Sequence, residues 1–273
     1  MRNLQIVNVG SNPARFCFFY ENILGQNWST GTQGLRMSYE ILRFNHSYLA
    51  DNAIVLLPMV PFSFLSEYLN DKGVWNYEYY LKYTAVLDPS QINAMPFAQD
   101  IWGFLHSPIR YNHKAWKYLI NDVEPDRRLE ITDQHMMLAD LMHDADMIMA
   151  GWKAEFDIKD LSSPLPEHLV DAMDKSVAIL AEMIDFLKER EYRPVIVLPP
   201  MTNVLYERFP ASFWQTYIYD GITKLNRPNV PVLDYVADSK WSNPELYFNS
   251  LFLNLHGRKA FTKQVLKDVG LWE

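Results

Sequence analysis

Short unbroken apolar runs along the chain alternate with stretches in which apolar residues recur every three or four positions. "LQIVNVG", residues 4 to 10, predicts a buried strand ending at a glycine. "SNPARFCFFYENIL" then predicts a helix, with Ser11 or Asn12 as cap and Pro13 in its first turn. In "GLRMSYEILRFNHSYL", Leu35, Tyr39, Leu42 and His46 fall at helical spacing, and "AIVLLPMV" follows as a second buried strand. The pattern is clearest after Pro164 and Pro166. There Leu169, Met173, Val177, Leu180, Ile184 and Leu187 mark one face of a long helix beginning near 166, and "PVIVLPP" reads as a buried strand. "RPNVPVLDYV" predicts a shorter strand and "HGRKAFTKQVLKDV" a closing helix.

Residues 61 to 165 break this alternation. They are rich in Tyr, Trp, Phe and Met and predict helices around 77 to 85, 113 to 121 and 133 to 149, which makes them a helical, aromatic-rich insertion. The flanks imply an α/β fold of one domain over 1–273: a three-layer α/β/α sandwich with a mainly parallel sheet. In such a fold ligands bind outside the carboxyl ends of the strands. Four places meet that description: Ser11, the turn at 58 to 64, Asn203 and Asp234.

Composition narrows the function classes. The 273 residues are 49% hydrophobic with a net charge of −8, and no run of basic residues exceeds two, which argues against nucleic acid as a partner. The single cysteine, Cys17, has no internal disulfide partner and fits a reducing compartment. The first residues lack the layout of a signal peptide, and no apolar run approaches the roughly 18 residues of a membrane span. The expectation is a cytoplasmic protein with no integral membrane segment.

A serine directly after a buried strand and a glycine, at a helix entry, suits two roles. It can cap the helix, or it can be a nucleophile whose own amide helps hold an oxyanion. Three blocks taken together resemble the SGNH (GDSL-like) hydrolase superfamily, whose sheet is of the flavodoxin-like kind. "IVNVGSN" resembles its first block, which implies that Ser11 is the nucleophile. "LGQNWSTGTQGLRMSYEIL" resembles the following block in a subset that includes polysaccharide and teichoic-acid acyl-transfer proteins, implying oxyanion or substrate contacts from Gly25, Asn27 and Gly31. "VLDYVADSKWSNPELYFNSLFLNLHGRKAFT" resembles the last strand and loop of that subset, where an Asp-x-x-His pair precedes a Leu-Asn-x-x-Gly stretch. The resemblance covers about 60 residues at the N-terminus and about 80 at the C-terminus.

At the catalytic pair the chain departs from the pattern, because Asn249 and Phe252 stand where Asp and His are expected. A phenyl ring has no atom that accepts a proton, and an amide does not orient an imidazole as a carboxylate does. His256, four residues on, is a candidate replacement base with Asp234 or Asp238 to orient it, and Asn203 and Asn249 are further candidate contacts. Two functions follow. One is an esterase or O-acyltransferase-like enzyme acting on an acylated carbohydrate or small polar ester through Ser11, with no cofactor. The other is a catalytically inactive homologue that binds a glycan or a partner protein. His135 and His143, with Asp140 and Asp144, read as a solvated acidic face, so no metal is implied. His106, His113, Trp102, Tyr111 and Trp116 of the insertion read as core or as a stacking surface for carbohydrate.

Overall fold

In the computed structural model, residues 3–31, 33–71 and 136–272 are described. Five strands, β1 (Leu4–Asn8), β2 (Gly25–Asn27), β3 (Leu49–Pro58), β4 (Arg193–Leu198) and β5 (Val232–Asp234), form one sheet in the order β2-β1-β3-β4-β5. All four pairings are parallel. This is the doubly wound flavodoxin-like order, in which the winding reverses between β1 and β3.

The apolar runs read as strands because both sheet faces are covered. Alternate residues of each central strand enter different cores: Val7, Val55, Leu57, Ile196 and Leu198 face one layer, and Ile6, Ile54, Leu56, Val195 and Val197 the other. With a side-chain period of two, a continuous hydrophobic run is what such a strand needs. The first layer is built from α2 (Leu35–Asn45), α3 (Ser66–Asp71), α4 (Leu138–Glu155) and α5 (Glu167–Lys188), together with the short helices α6 (Asn203–Tyr206), α7 (Ala211–Trp214) and α8 (Asp220–Lys224). The second layer is the closing helix α9 (Leu255–Asp268) and the Cys17–Tyr20 segment. The three-layer α/β/α expectation holds, and α2, α5, β4 and α9 lie where the periodicity puts them.

Two readings need correction, and one strand was not predicted. The helix after Ser11 is a single turn, α1 (Asn12–Arg15), after which Phe16, Cys17 and Phe18 continue outside the helix as three consecutive buried side chains, Cys17 and Phe18 packing into the α9 side of the sheet. The edge strand β2 has only three residues and no apolar run, so periodicity does not reveal it. In the insertion, the helix expected at 133 to 149 runs instead over Leu138–Glu155, while the helices expected around 77 to 85 and 113 to 121 fall outside the described residues. No helix among the described residues is long and apolar enough to cross a membrane.

Candidate functional site

The reversal of winding opens a cleft of about 100 Å³ at the carboxyl ends of β1 and β3. Gly10 and Ser11 line it from β1, and the Pro58–Ser63 turn lines it from β3. Gly10 has φ +126°, a conformation that side chains resist, and a Cβ there would lie 2.9 Å from the Ala14 Cβ. The glycine is therefore what lets the chain turn abruptly enough to bring Ser11 to the cleft. Ser11 is half-buried and occupies the cap position of α1, yet its side chain makes no cap hydrogen bond. A four-residue turn also adds little of the aligned peptide dipole that a full helix would supply.

The opposite wall is largely apolar, with Phe62, Trp152, Phe156 and Leu180. Phe62 has φ +67°, rare for a bulky residue, and is 2% exposed. Ring contacts with Phe156 at 5.0 Å and Phe213 at 5.1 Å hold it there. The polar atoms of the wall mostly serve one another. The Gln33 amide nitrogen donates to the Ser38 hydroxyl at 3.0 Å, the Ser63 hydroxyl accepts from the Val60 N–H at 2.9 Å, and the Ser66 hydroxyl accepts from Leu35 N–H. Among the described residues lining the cleft, Glu155 is the ionisable one.

Asn27 and Gly25 are brought near the cleft in a supporting role. The buried Asn8 donates to the Asn27 carbonyl oxygen at 2.8 Å and to the Ser29 hydroxyl at 2.7 Å, and accepts from the Tyr20 hydroxyl at 2.9 Å. The Asn27 amide nitrogen donates to the backbone carbonyls of Arg15 and Phe18 at 3.1 and 3.2 Å. Both of its N–H groups are thereby used, which leaves none for an oxyanion. Gly25 lets the Tyr20 ring close over β2, since a Cβ there would lie 2.7 Å from that ring. Gly31 is buried in a turn and does not line the cleft.

The residues expected to complete a triad are not gathered at Ser11. His256 is exposed on the first turn of α9 and lines a different depression, with Phe19, Lys259 and Trp272. The Asp234 carboxylate accepts from the Tyr219 hydroxyl at 2.8 Å and from the Val236 N–H at 3.1 Å, and the Asp238 side chain accepts from the Lys240 N–H. Asn203 is exposed at the start of α6. Asn249 accepts from the N–H groups of Leu251 and Phe252 at 3.0 and 2.7 Å, which fixes the loop. Phe252 stacks on Phe16, the residue that ends α1, with ring centroids 4.8 Å apart.

The loop is pinned further by α4. The Asp144 carboxylate accepts from the Ser250 N–H and hydroxyl at 2.9 and 2.5 Å, and the Thr202 hydroxyl donates to the Ser250 carbonyl at 2.7 Å. Asp144 is thus committed to Ser250 instead of standing on a free acidic face. No group of His, Cys, Asp and Glu among the described residues could hold a metal ion. His106, His113, His135 and the aromatic residues of the insertion named above lie outside the described residues.

Sequence reasoning reaches Ser11 and the 58 to 64 turn through the rule that sites follow strands. It misses Gln33, Trp152 and Glu155, which belong to helices and to a β2–α2 connection without a local motif. No family model matches the chain, and no curated protein matches it in sequence.

Proposed function

We propose that this chain is a ligand-binding member of the SGNH-like class that does not use the Ser-His-Asp mechanism, and that the cleft between β1 and β3 receives a small acyl or ester group of a polar ligand such as an acylated carbohydrate. The observation that carries this reading is the Phe252 ring stacked on Phe16, where the resemblance calls for a histidine beside the serine. A stacked phenylalanine pair contributes packing and cannot accept a proton. The cleft volume of about 100 Å³ is below that of an engineered cavity of roughly 150 Å³ that takes benzene, so it suits a short acyl group and not a long chain.

The enzyme reading has one observation in its favour, the half-buried Ser11 hydroxyl in the cleft with no cap hydrogen bond. An esterase or acyltransferase would attack the acyl carbonyl with that oxygen and would need a base within hydrogen-bond reach. A fluorophosphonate probe followed by mass spectrometry separates the two readings. The binding reading expects the folded protein to remain unlabelled while short acylated sugars bind saturably. An adduct on Ser11 that is lost in Ser11→Ala would establish the enzyme reading in its place.

A further inference from the structure

We propose that the depression between residues 239–246 and the outer face of α9 is a binding site for a phosphomonoester carried on a small organic body, such as a sugar phosphate. It lies on the α9 side of the sheet, whereas the β1/β3 cleft opens among residues of the other layer. Its volume is about 420 Å³, within the range of small-molecule sites.

Its charge is the first argument. Lys240, Lys263 and Lys267 line it, and none of the three forms an ion pair with a carboxylate among the described residues; the Lys240 ammonium donates to the Gln264 side-chain oxygen at 2.5 Å and lies 5.0 Å from the Trp241 ring centroid, and the Lys263 ammonium lies 5.7 Å from that of Trp272. The chain has 33 acidic against 25 basic residues, so three unneutralised ammonium groups around one hollow run against its overall balance. Lys263 and Lys267 are one helical turn apart, a spacing at which like charges repel. Asp268, next to Lys267, accepts from the Tyr235 hydroxyl at 2.5 Å and from the amide of Gln264, a lining residue, at 3.0 Å, and the Asp238 side chain accepts from the Lys240 N–H at 2.9 Å. Lys259, on the same helix, is by contrast already paired with Glu21 at 2.5 Å and opens on the neighbouring depression.

The second argument is the lining between the lysines. Trp241, Leu246 and Ala260 supply an apolar wall, and the Trp241 indole N–H, buried in that wall, has no acceptor among the described residues. A single carboxylate would answer one ammonium group. A phosphomonoester brings nearly two negative charges and three acceptor oxygens, and lysine binds phosphate as a point charge. The wall of Trp241, Leu246 and Ala260 then meets the organic body by apolar contact.

The test is calorimetric titration of the full chain with glucose 1-phosphate at 20 mM and 150 mM salt, with inorganic phosphate as competitor. The expected result is saturable, salt-weakened binding that inorganic phosphate displaces and that Lys263→Ala/Lys267→Ala reduces tenfold or more. A control pair on the opposite layer, Lys159→Ala/Lys188→Ala, should retain it. Both pairs are exposed, and circular dichroism checks that each variant is folded. Absence of saturable binding by the folded wild type, or equal loss in the control pair, overturns the proposal.

Discussion

Phe252 lies with its ring centroid 4.8 Å from that of Phe16, the two planes inclined by 24°, and Phe248 packs against both at 5.7 and 5.2 Å. The loop after β5 therefore returns to the end of the one-turn helix that Ser11 opens, and what it delivers there is hydrocarbon. If the resemblance to SGNH hydrolases identifies this loop correctly, restoring the missing pair should restore chemistry. Asn249→Asp/Phe252→His is expected to gain slow hydrolysis of 4-nitrophenyl acetate, and the gain should vanish when Ser11→Ala is added. Phe252→Ala is expected to cost about 1–2 kcal/mol in urea unfolding, less than a fully buried phenylalanine because the ring is partly exposed. Unchanged hydrolysis in the double variant would count against the loop assignment.

Ser11 and Asn254 occupy the same position at the entries of two helices and should respond differently to alanine. Ser11 makes no cap bond, whereas the buried Asn254 accepts from the Gly257 N–H at 2.9 Å and donates to the Glu245 carbonyl at 2.7 Å. Ser11→Ala is expected to leave stability within about 0.5 kcal/mol of wild type, as for a substitution that breaks no interaction. Asn254→Ala removes a cap and the donor to the Glu245 carbonyl, and should cost about 1–2 kcal/mol. Urea midpoints with matching slopes provide the comparison. A large loss for Ser11→Ala would mean that the hydroxyl has a structural duty.

The contrast between these two serves as a guide to what the sequence made legible. The closing helix could be read locally from its stretch beginning at His256, although its cap, Asn254, lies two residues before that start; the length of the helix after Ser11 could not, because the packing of Phe16, Cys17 and Phe18 into the core overrides a good start signal. The fold was legible because strands buried on both faces leave continuous apolar runs. The site was legible only as far as its strand ends. Asn27 looked available for an oxyanion, and only the carbonyls of Arg15 and Phe18, reached from a neighbouring strand, show that its donors are taken. The lysines of α9 escaped a search for consecutive basic residues because Lys263 and Lys267 become neighbours through helical geometry alone.

Glu67 gives a pH-dependent prediction. It is 8% exposed on α3, and burial pushes its carboxyl up, opposed by the Arg36 charge and by the hydrogen bond from Asn70 at 2.9 Å, with Asp71 raising it and Lys175 lowering it. A carboxyl raised in the folded state stabilises most when protonated, so its contribution is present below the unfolded value of about 4.3 and is lost as pH rises through the folded value. Glu67→Gln keeps an acceptor for Asn70 and removes the buried charge. It is expected to unfold at higher urea than wild type at pH 7.5, with the two converging toward pH 4. A lower midpoint at pH 7.5 would show that the attraction to Arg36 outweighs desolvation.

Cys17 should behave as a core residue and not as a reactive thiol. It is 2% exposed between Phe16 and Phe18, and burial pushes its thiol up to about 12, with the Arg258 charge a smaller opposing influence. Only the thiolate attacks disulfides and alkylating agents, so at pH 8 the reactive fraction in the folded protein is on the order of one in ten thousand, against about a quarter for a free cysteine near 8.5. Native protein is therefore expected to give no reaction with a thiol-exchange reagent over an hour at pH 8, and one equivalent in guanidinium. The same shift has a consequence for stability. The unfolded thiol ionises from about 8.5 upward while the folded one stays protonated, so stability falls as pH rises from there toward about 12. Cys17→Ala should flatten that decline at the cost of a small cavity, with the two effects separated by measuring urea midpoints at pH 7 and pH 10. One rapid equivalent of labelling in native buffer would instead show that the Phe16–Phe18 layer opens readily, which would also loosen the seat of Phe252.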